Sequence, residues 1–181
     1  MIQIKIFVFN PFQENTFVLF DETKEAVIID AGCHSKSEEK MLAEFISGNQ
    51  LKPVRLINTH CHIDHILGNR FVSEYFSIKA EAHQADEFLA LAAQQYGLTF
   101  GIQMEAAPAF GNYLDEGQQV LFGNSFLDIV HIPGHSPGGI VFYNKPEGFM
   151  IAGDVLFEGS IGRTDLPGGN YEQLISAIKN K

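Results

Sequence analysis

The sequence predicts an α/β protein in which two mixed β-sheets pack face to face and carry helices on their outer sides, a four-layer αββα sandwich. Apolar segments with strand periodicity occur in both halves of the chain, and segments with helical periodicity separate or follow them. Short turns join many of these strands as hairpins. Two sheets flanked by helices would bury all of the resulting apolar faces.

The first half of the chain alternates predicted strands with predicted helices. Strands are predicted at residues 2–9 and 15–20, on either side of a turn at Asn10-Pro11, and at residues 26–30, 53–59 and 78–83. Ser35 or Ser37 could cap a helix over residues 38–47, whose apolar residues share one face. Two further helices are predicted near residues 66–75 and at residues 84–95.

In the second half of the chain, apolar residues recur mainly with the two-residue period of strands. The segments QQVLFG, FLDIVHI, GIVFYN and GFMIAGD are predicted strands that Gly, Asn or Pro turns separate. A helix at residues 171–180 ends the chain. Residues 1–181 are therefore expected to form a single domain, since no repeat and no Pro- or Ser-rich linker divides them.

The composition excludes several classes of function. The 181 residues carry a net charge of −10, whereas a protein that binds the phosphate backbone of nucleic acids needs a basic surface. The sequence contains no apolar run of 18 residues and, at its start, no signal-peptide cleavage site, so we expect no membrane partner. The only two cysteines, Cys33 and Cys61, make no disulfide framework, which favours a reducing, cytoplasmic setting.

Three predicted strands end in side chains that can bind metal ions. They stand in the segments VRLINTHCHIDH, LDIVHIPGH and FMIAGD, each an apolar run that stops abruptly at histidine or aspartate. Strand ends backed by a core are rigid platforms for a site. Because residues two apart in an extended segment point the same way, His60 and His62 can bind one ion together.

The other ligand candidates complete two neighbouring positions. His135 would complete the first, Asp64 and His65 follow at the turn into a helix and can face a second ion, and Asp154 could bridge both ions. Imidazole with carboxylate favours Zn²⁺, Fe or Mn over Ca²⁺ or Mg²⁺. The alternative, a polar loop that happens to be rich in histidine, does not explain the two remote strand ends.

The motifs THCHIDH, PGHS, GDVLF and IIDAG resemble those of the metallo-β-lactamase superfamily of hydrolases. The segments NPFQENTFVL and GSIGRTDLPGG are similar to its glyoxalase II-like, or hydroxyacylglutathione hydrolase-like, single-domain branch, and the resemblance covers nearly the whole chain. It implies an αββα sandwich with a two-metal site at one edge and the same six ligands. It also implies that Asp30 positions ligands by hydrogen bonding, although a turn-capping aspartate is an equal alternative.

The chain departs from the family pattern in two respects. Family members carry a last histidine ligand in a GHG-like loop, and this sequence stops before such a loop. We therefore expect that it lacks the C-terminal end of the functional protein and that its second metal position is weaker; the alternative is a genuinely short protein. The glutathione-binding tyrosine of the two-domain enzymes corresponds to Phe142, next to Tyr143, and their basic C-terminal residues have no counterpart.

The expected reaction is hydrolysis of a small-molecule thioester, such as an acyl-glutathione, by a metal-bound hydroxide that Asp64 helps to orient. A thiolate can leave without a strong general acid because thiols have a pKa of about 8.5. One alternative is a persulfide dioxygenase-like enzyme with one Fe(II) on His60, His135 and Asp154. Another is a non-catalytic relic of the fold that merely binds metal.

The other notable polar residues have plainer explanations. Cys61 lies between two ligands in an extended segment, so its side chain should point away from the metal and pack. His83 and His131 are predicted to be structural, and His34 to lie in a loop. Arg163 flanks a turn with Asp165, where a local ion pair is favoured slightly over contact with substrate. The apolar segment 96–110 is expected to pack.

Overall fold

The computed structural model describes residues 1–181 and contains two main sheets. The first sheet has six strands in sequence order: β1 (Gln3–Phe9), β2 (Glu14–Phe20), β3 (Glu25–Ile29), β4 (Lys52–Ile57), β5 (Ala80–Ala82) and β6 (Asn112–Tyr113). The first three strands are antiparallel, and β3 to β6 run parallel to one another. Because β3, β4 and β5 are parallel, their carboxyl ends meet at one edge of the sheet, which is where ligand sites form in such sheets.

The second sheet has four strands in the order β10-β9-β8-β7: β7 (Gln119–Phe122), β8 (Ser125–His131), β9 (Ile140–Asn144) and β10 (Phe149–Ile151). A small hairpin of β11 (Leu156–Phe157) and β12 (Ser160–Ile161) follows. The helices are α1 (Lys36–Gly48), α2 (Ile63–Ile66), α3 (Asn69–Phe76), α4 (Glu87–Gly97) and α5 (Tyr171–Asn180), with single 3₁₀ turns at Gln84–Asp86 and Leu98–Phe100. None of these helices is both long and apolar enough to span a membrane.

Alternation along the central strands divides the core into separate layers. Val18 and Ile28 pack with Leu42 of α1 on the outer face of the first sheet. Their neighbours Leu19 and Ile29 face the other way and join the apolar side chains of the second sheet. The outer face of the second sheet packs against α5 through a cluster that includes Ile132, Val141 and Leu174. Successive residues of a strand thus contribute their side chains to opposite layers, as the two-residue period of a strand requires.

The predicted αββα sandwich is confirmed, with some differences in detail. The first sheet is mixed, whereas the four strands of the second are all antiparallel because short turns join them in succession. Ser35, not Ser37, caps α1, and Glu38 completes the capping box. The short strand β6 was not predicted, since its two residues are exposed and carry no apolar pattern.

The helix predicted near residues 66–75 is two helices, α2 and α3, that break around Gly68. The amide nitrogen of Gly68 donates to the carbonyl oxygen of Ala31 at 2.6 Å. A Cβ at this position would lie 2.4 Å from Cys33 Sγ and 2.9 Å from the Ala31 oxygen. Only glycine therefore lets the chain pass this close to the segment that follows β3.

Candidate metal centre

Three imidazole rings converge at the edge where the two sheets meet. His60 and His62 lie on the extended segment between β4 and α2, and His135 lies in the loop after β8. His135 Nε2 is 3.1 Å from His60 Nε2 and 2.8 Å from His62 Nδ1. All three residues are buried. The structure thus brings together the three histidines predicted for the first metal position.

A second group of donors adjoins the first. His65 Nε2, on α2, is 3.4 Å from Asp154 Oδ1 and 3.6 Å from Asp64 Oδ2. The other oxygen of Asp154, Oδ2, is 3.5 Å from His135 Nε2 in the first group. His60, His65 and Asp154 also offer donor atoms that lie within 4.8 Å of one another. Asp154 therefore reaches both groups, one with each carboxylate oxygen, which is the geometry that a bridging ligand requires.

Hydrogen bonds that Asp30 accepts determine which ring nitrogens face this cluster. Asp30 follows β3 with φ +53° and is fully buried. Its Oδ2 accepts a hydrogen bond from Thr59 Oγ1 at 2.6 Å and lies 3.0 Å from His65 Nδ1. Because the Thr59 hydroxyl donates to Asp30, it must accept from His60 Nδ1, which is 3.1 Å away. His60 is therefore protonated at Nδ1 and directs its Nε2 lone pair into the cluster, whereas Asp30 holds the Nδ1 proton of His65, so that the Nε2 atom of that ring faces the cluster.

His135 is oriented in the same way by the main chain. Its Nδ1 donates to the carbonyl oxygen of Arg163 at 2.7 Å, so its Nε2 also presents a lone pair. His62 differs, because its Nε2 is buried without a hydrogen-bond partner while Nδ1 faces the cluster.

This donor set fits a metal ion. The Nε2 lone pairs of His60 and His135 face each other at 3.1 Å, which is repulsive unless a cation lies between them. Tetrahedral Zn²⁺ with Zn–N bonds of about 2.0–2.1 Å would hold its nitrogen ligands about 3.3 Å apart. The observed separations of 2.8 and 3.1 Å differ from that value by only a few tenths of an ångström.

The pKa values of His60 and His62 are shifted in the opposite direction from the pKa of His65. Burial, reinforced by the neighbouring imidazoles, holds the pKa of His60 well below its usual value and lowers the pKa of His62 to about 3. These rings are neutral and can bind metal without first losing a proton. His65 is the opposite case: burial lowers its pKa, but the charge of Asp30 and the hydrogen bond with Asp154 outweigh burial and raise it.

A buried carboxyl group below the second position did not stand out in the sequence. Glu14 Oε1 lies 3.9 Å from His65 Nδ1, and Glu14 Oε2 accepts a hydrogen bond from Thr16 Oγ1 at 2.9 Å. Burial raises the pKa of Glu14 to about 9, so the carboxyl group is neutral near pH 7. The sequence segment FQEN by itself is typical of a turn, so it does not indicate that Glu14 is buried. Its burial follows from the alternation along β2, in which Glu14, Thr16 and Val18 point to the same, buried side.

The remaining polar residues and the apolar segment discussed from the sequence lie outside the donor groups. Cys61 is buried in a small cluster with Ile66 and three alanines, and burial raises the pKa of its thiol, so a packing role is confirmed. The rings of His83 and His131 stack 4.2 Å apart, away from the cluster. His34 lies in the loop before α1, and in segment 96–110 side chains such as Ile102 pack on the apolar clusters.

Arg163 enters the site through its main chain, not through its side chain. The guanidinium is exposed and pairs with Asp165 through two contacts of 2.7 Å. The predicted local ion pair is thus confirmed, and contact with a substrate stays a prediction.

A groove of about 490 Å³ leads to the second donor group. Beside Asp64, His65 and Asp154, its walls contain no lysine or arginine. They include seven apolar residues, which are Phe12, Phe17, Met150, Ile151, Ala152, Leu156 and Phe157. It is large enough to admit part of a small organic substrate.

A two-sheet sandwich that holds adjacent histidine and aspartate donor groups at one edge defines a class of metal-dependent proteins, and comparison with known proteins identifies the family. The metallo-beta-lactamase superfamily model matches residues 9–181. The chain is 33% identical to the hydroxyacylglutathione hydrolase GloC of Haemophilus influenzae, in an alignment that covers 99% of this chain and 84% of that protein. The chain belongs to the metallo-beta-lactamase superfamily, whose members are generally hydrolases.

Two solved structures agree with this assignment. The crystal structure of the B3 metallo-beta-lactamase BLEG-1 superposes with a TM-score of 0.88 at 33% identity, covering 99% of this chain and 85% of that one. The crystal structure of TTHA1623 in a di-iron-bound form superposes with a TM-score of 0.85 at 32% identity, covering 97% and 84%. The predicted superfamily and fold are therefore confirmed.

Proposed function

We propose that the chain is a metal-dependent thioester hydrolase. The observation that carries this proposal is the pair of adjacent donor groups. Asp154 contacts both groups and also lines the groove that leads to the second. A relative named hydroxyacylglutathione hydrolase, similar over nearly the whole chain, supports a thioester over other acyl substrates.

The six predicted ligands divide between two ion positions. His60, His62 and His135 would hold the first ion, Asp64 and His65 the second, and Asp154 both. Zn²⁺, Fe or Mn suits imidazole and carboxylate donors, and the di-iron form of TTHA1623 favours including iron in any test. Bound ions of this kind would lower the pKa of water from 15.7 to about 7 and polarise an acyl carbonyl group.

The chain's own residues would place the reactants. Asp64 lies beside the second donor group with an oxygen 3.6 Å from His65 Nε2, so it can orient the attacking water as well as bind metal. Water adds to the acyl carbon, the C–S bond breaks, and the products are a carboxylic acid and a thiol. A thiolate with a pKa of about 8.5 leaves without a dedicated acid, which agrees with a groove that contains no lysine, arginine or tyrosine.

A second candidate uses a single ion. His60, His135 and Asp154 lie in contact and could form the two-histidine, one-carboxylate face that binds Fe(II) in oxygenases. A persulfide dioxygenase-like enzyme would consume oxygen with a glutathione persulfide.

One set of measurements distinguishes the thioester hydrolase from the dioxygenase. The purified chain is analysed for metal identity and ions per chain, then assayed with acyl-glutathione thioesters under argon and with glutathione persulfide in an oxygen electrode. Thioester cleavage without oxygen that is lost in His135→Ala and kept in His34→Ala supports the proposal. Oxygen uptake with persulfide and no thioester cleavage would replace it with the dioxygenase, and bound metal without turnover of either would contradict both.

A further inference from the structure

Asp86 is a fully buried carboxylate that lies close to the first donor group but binds none of its histidines. It ends the 3₁₀ turn Gln84–Asp86, just before α4. His83 caps this turn, because its Nδ1 accepts a hydrogen bond from the amide of Ala85 at 3.2 Å. The backbone that carries Asp86 is thus held in place from its own side.

The carboxylate of Asp86 joins the two chain segments that supply the first donor group. Oδ2 accepts from the amide of Cys61 at 3.0 Å and from Ser136 Oγ at 2.8 Å. Oδ1 accepts from the amide of Gly138 at 2.5 Å. Cys61 lies between His60 and His62 in the sequence, and Ser136 directly follows His135. One side chain therefore reaches both segments within a residue of their metal-type donors.

Little else fixes the distance between these segments. Among main-chain hydrogen bonds, Ile140 N donates to Thr59 O at 2.8 Å, but Ile140 lies five positions beyond His135. The rings of His60 and His135 would repel each other without an ion, because their Nε2 lone pairs converge at 3.1 Å. The three hydrogen bonds of Asp86 act against that repulsion.

The surroundings of the carboxylate leave no room for a longer or displaced side chain. A Cβ added at Gly138 would lie 2.7 Å from Asp86 Cγ and 2.8 Å from its Oδ1. An asparagine in place of Asp86 would fit but would present its NH₂ group to a donor on one side. If it faced Gly138, that amide would lose its acceptor; if it faced Cys61, the Ser136 hydroxyl could rotate, but the amide of Cys61 could not.

We propose that Asp86 is a positioning residue that holds His60 and His62 at metal-binding distance from His135. This inference rests on the metal centre proposed above, not on the identity of its substrate. Removal of such an outer hydrogen-bond partner typically weakens metal binding about tenfold to a hundredfold.

The test measures metal binding directly, without turnover. The Zn²⁺ dissociation constant is determined by competition with a chelating dye for wild type, Asp86→Asn, Gly138→Ala, Ser136→Ala and the control Asp128→Asn. Asp128 accepts one hydrogen bond, from Gln119 at 2.7 Å, outside the site. The visible spectrum of the Co²⁺-loaded chain reports ligand geometry, and urea unfolding of the metal-free chain reports stability.

We expect Asp86→Asn to weaken Zn²⁺ binding about tenfold to a hundredfold and to change the Co²⁺ spectrum. Gly138→Ala should act in the same direction, Ser136→Ala should have a smaller effect because it removes one bond of three, and Asp128→Asn should have none. If Asp86→Asn does not fold, Ser136→Ala and Gly138→Ala decide the question in the same assay. Wild-type affinity and spectrum in the folded variants overturn the positioning role, whereas failure of the wild type to bind Zn²⁺, Fe²⁺ or Co²⁺ overturns the metal centre and this inference with it.

Discussion

Substitution of Asp30 by asparagine tests whether the hydrogen-bond network below the ligands prepares them for metal. Asparagine tolerates the left-handed backbone at φ +53° and fits the space, so the backbone need not change. Asp30 Oδ1 accepts from the amide of Thr59 at 2.7 Å, while Oδ2 accepts from the Thr59 hydroxyl and from His65 Nδ1. An amide group cannot serve both sides, because one of its two heavy atoms is a donor.

Either orientation of the asparagine has a defined cost. With its NH₂ group toward the Thr59 amide, one buried donor loses its acceptor, which costs about 1–3 kcal/mol of unfolding free energy. With NH₂ toward His65, Nδ1 of that ring must give up its proton to accept a hydrogen bond, and the remaining ring proton is then held on Nε2, where it points at the second donor group. Metal affinity should therefore fall about tenfold to a hundredfold, which corresponds to about 1.4–2.8 kcal/mol.

The assay is Zn²⁺ binding by dye competition, together with urea unfolding of the metal-free chain. Asp128→Asn is the matched control, because it makes the same chemical change at a site with a single side-chain hydrogen bond. Unchanged affinity in a folded Asp30→Asn chain would refute the reasoning. It would leave Asp30 as an aspartate that merely caps the turn after β3.

Four further predictions concern single residues. His135→Ala should abolish turnover while the circular dichroism spectrum stays native, because the ring lies in a loop and its loss relieves lone-pair repulsion; turnover at the wild-type rate would contradict its role as a ligand. Zn²⁺ titration should show one tight and one weaker ion per chain, and Asp154→Asn should weaken both; two equal tight ions, or loss of only one in the variant, would argue against a bridging carboxylate. Cys61→Ala should keep most of the activity, since its side chain packs away from the donors, and a large loss would make it a ligand or nucleophile. Burial raises the pKa of Asp21, but hydrogen bonds from Thr23 and the turn after β7 lower it from 3.8 to about 2. Its contribution to stability is thus present above pH 3.8 and lost toward pH 2, so the acid-induced fall in unfolding midpoint should be shallower in Asp21→Asn.

The convergence of the candidate ligands could be predicted because the direction of each is encoded locally. His60 and His62 are two apart on one extended segment, and His135 and Asp154 each follow an apolar strand, so sequence spacing alone indicates their direction. The sandwich was predictable for a similar reason, since alternation in segments such as residues 15–20 shows which faces are buried. The local sequence pattern is sufficient to predict a residue's burial and direction wherever these depend only on its position in its own strand.

The residues that the sequence did not reveal depend on contacts between distant segments. Asp86 meets Cys61 and Gly138 only after three loops have folded together, and nothing in the segment HQADEF distinguishes it from an ordinary helix-capping aspartate. The break at Gly68 likewise follows from the close approach of Ala31, 37 positions earlier in the chain.

The arrangement of carboxylates explains how a set of mutually repelling donors can be assembled before an ion arrives. Through Thr59, Asp30 fixes the tautomer of His60, and it also holds the Nδ1 proton of His65. The Arg163 carbonyl fixes the tautomer of His135, and Asp86 joins the segments that carry the first group. The Nε2 atoms of His60, His65 and His135 are therefore each aimed by a hydrogen bond on the far side of their own ring. In the first group His60 and His62 are neutral, whereas the second holds a histidine whose neighbouring carboxylates favour its protonated form. An ion entering the first position displaces no proton from His60 or His62, while one entering the second must displace the proton of His65, so the physical chemistry of the site favours filling the three-histidine position first.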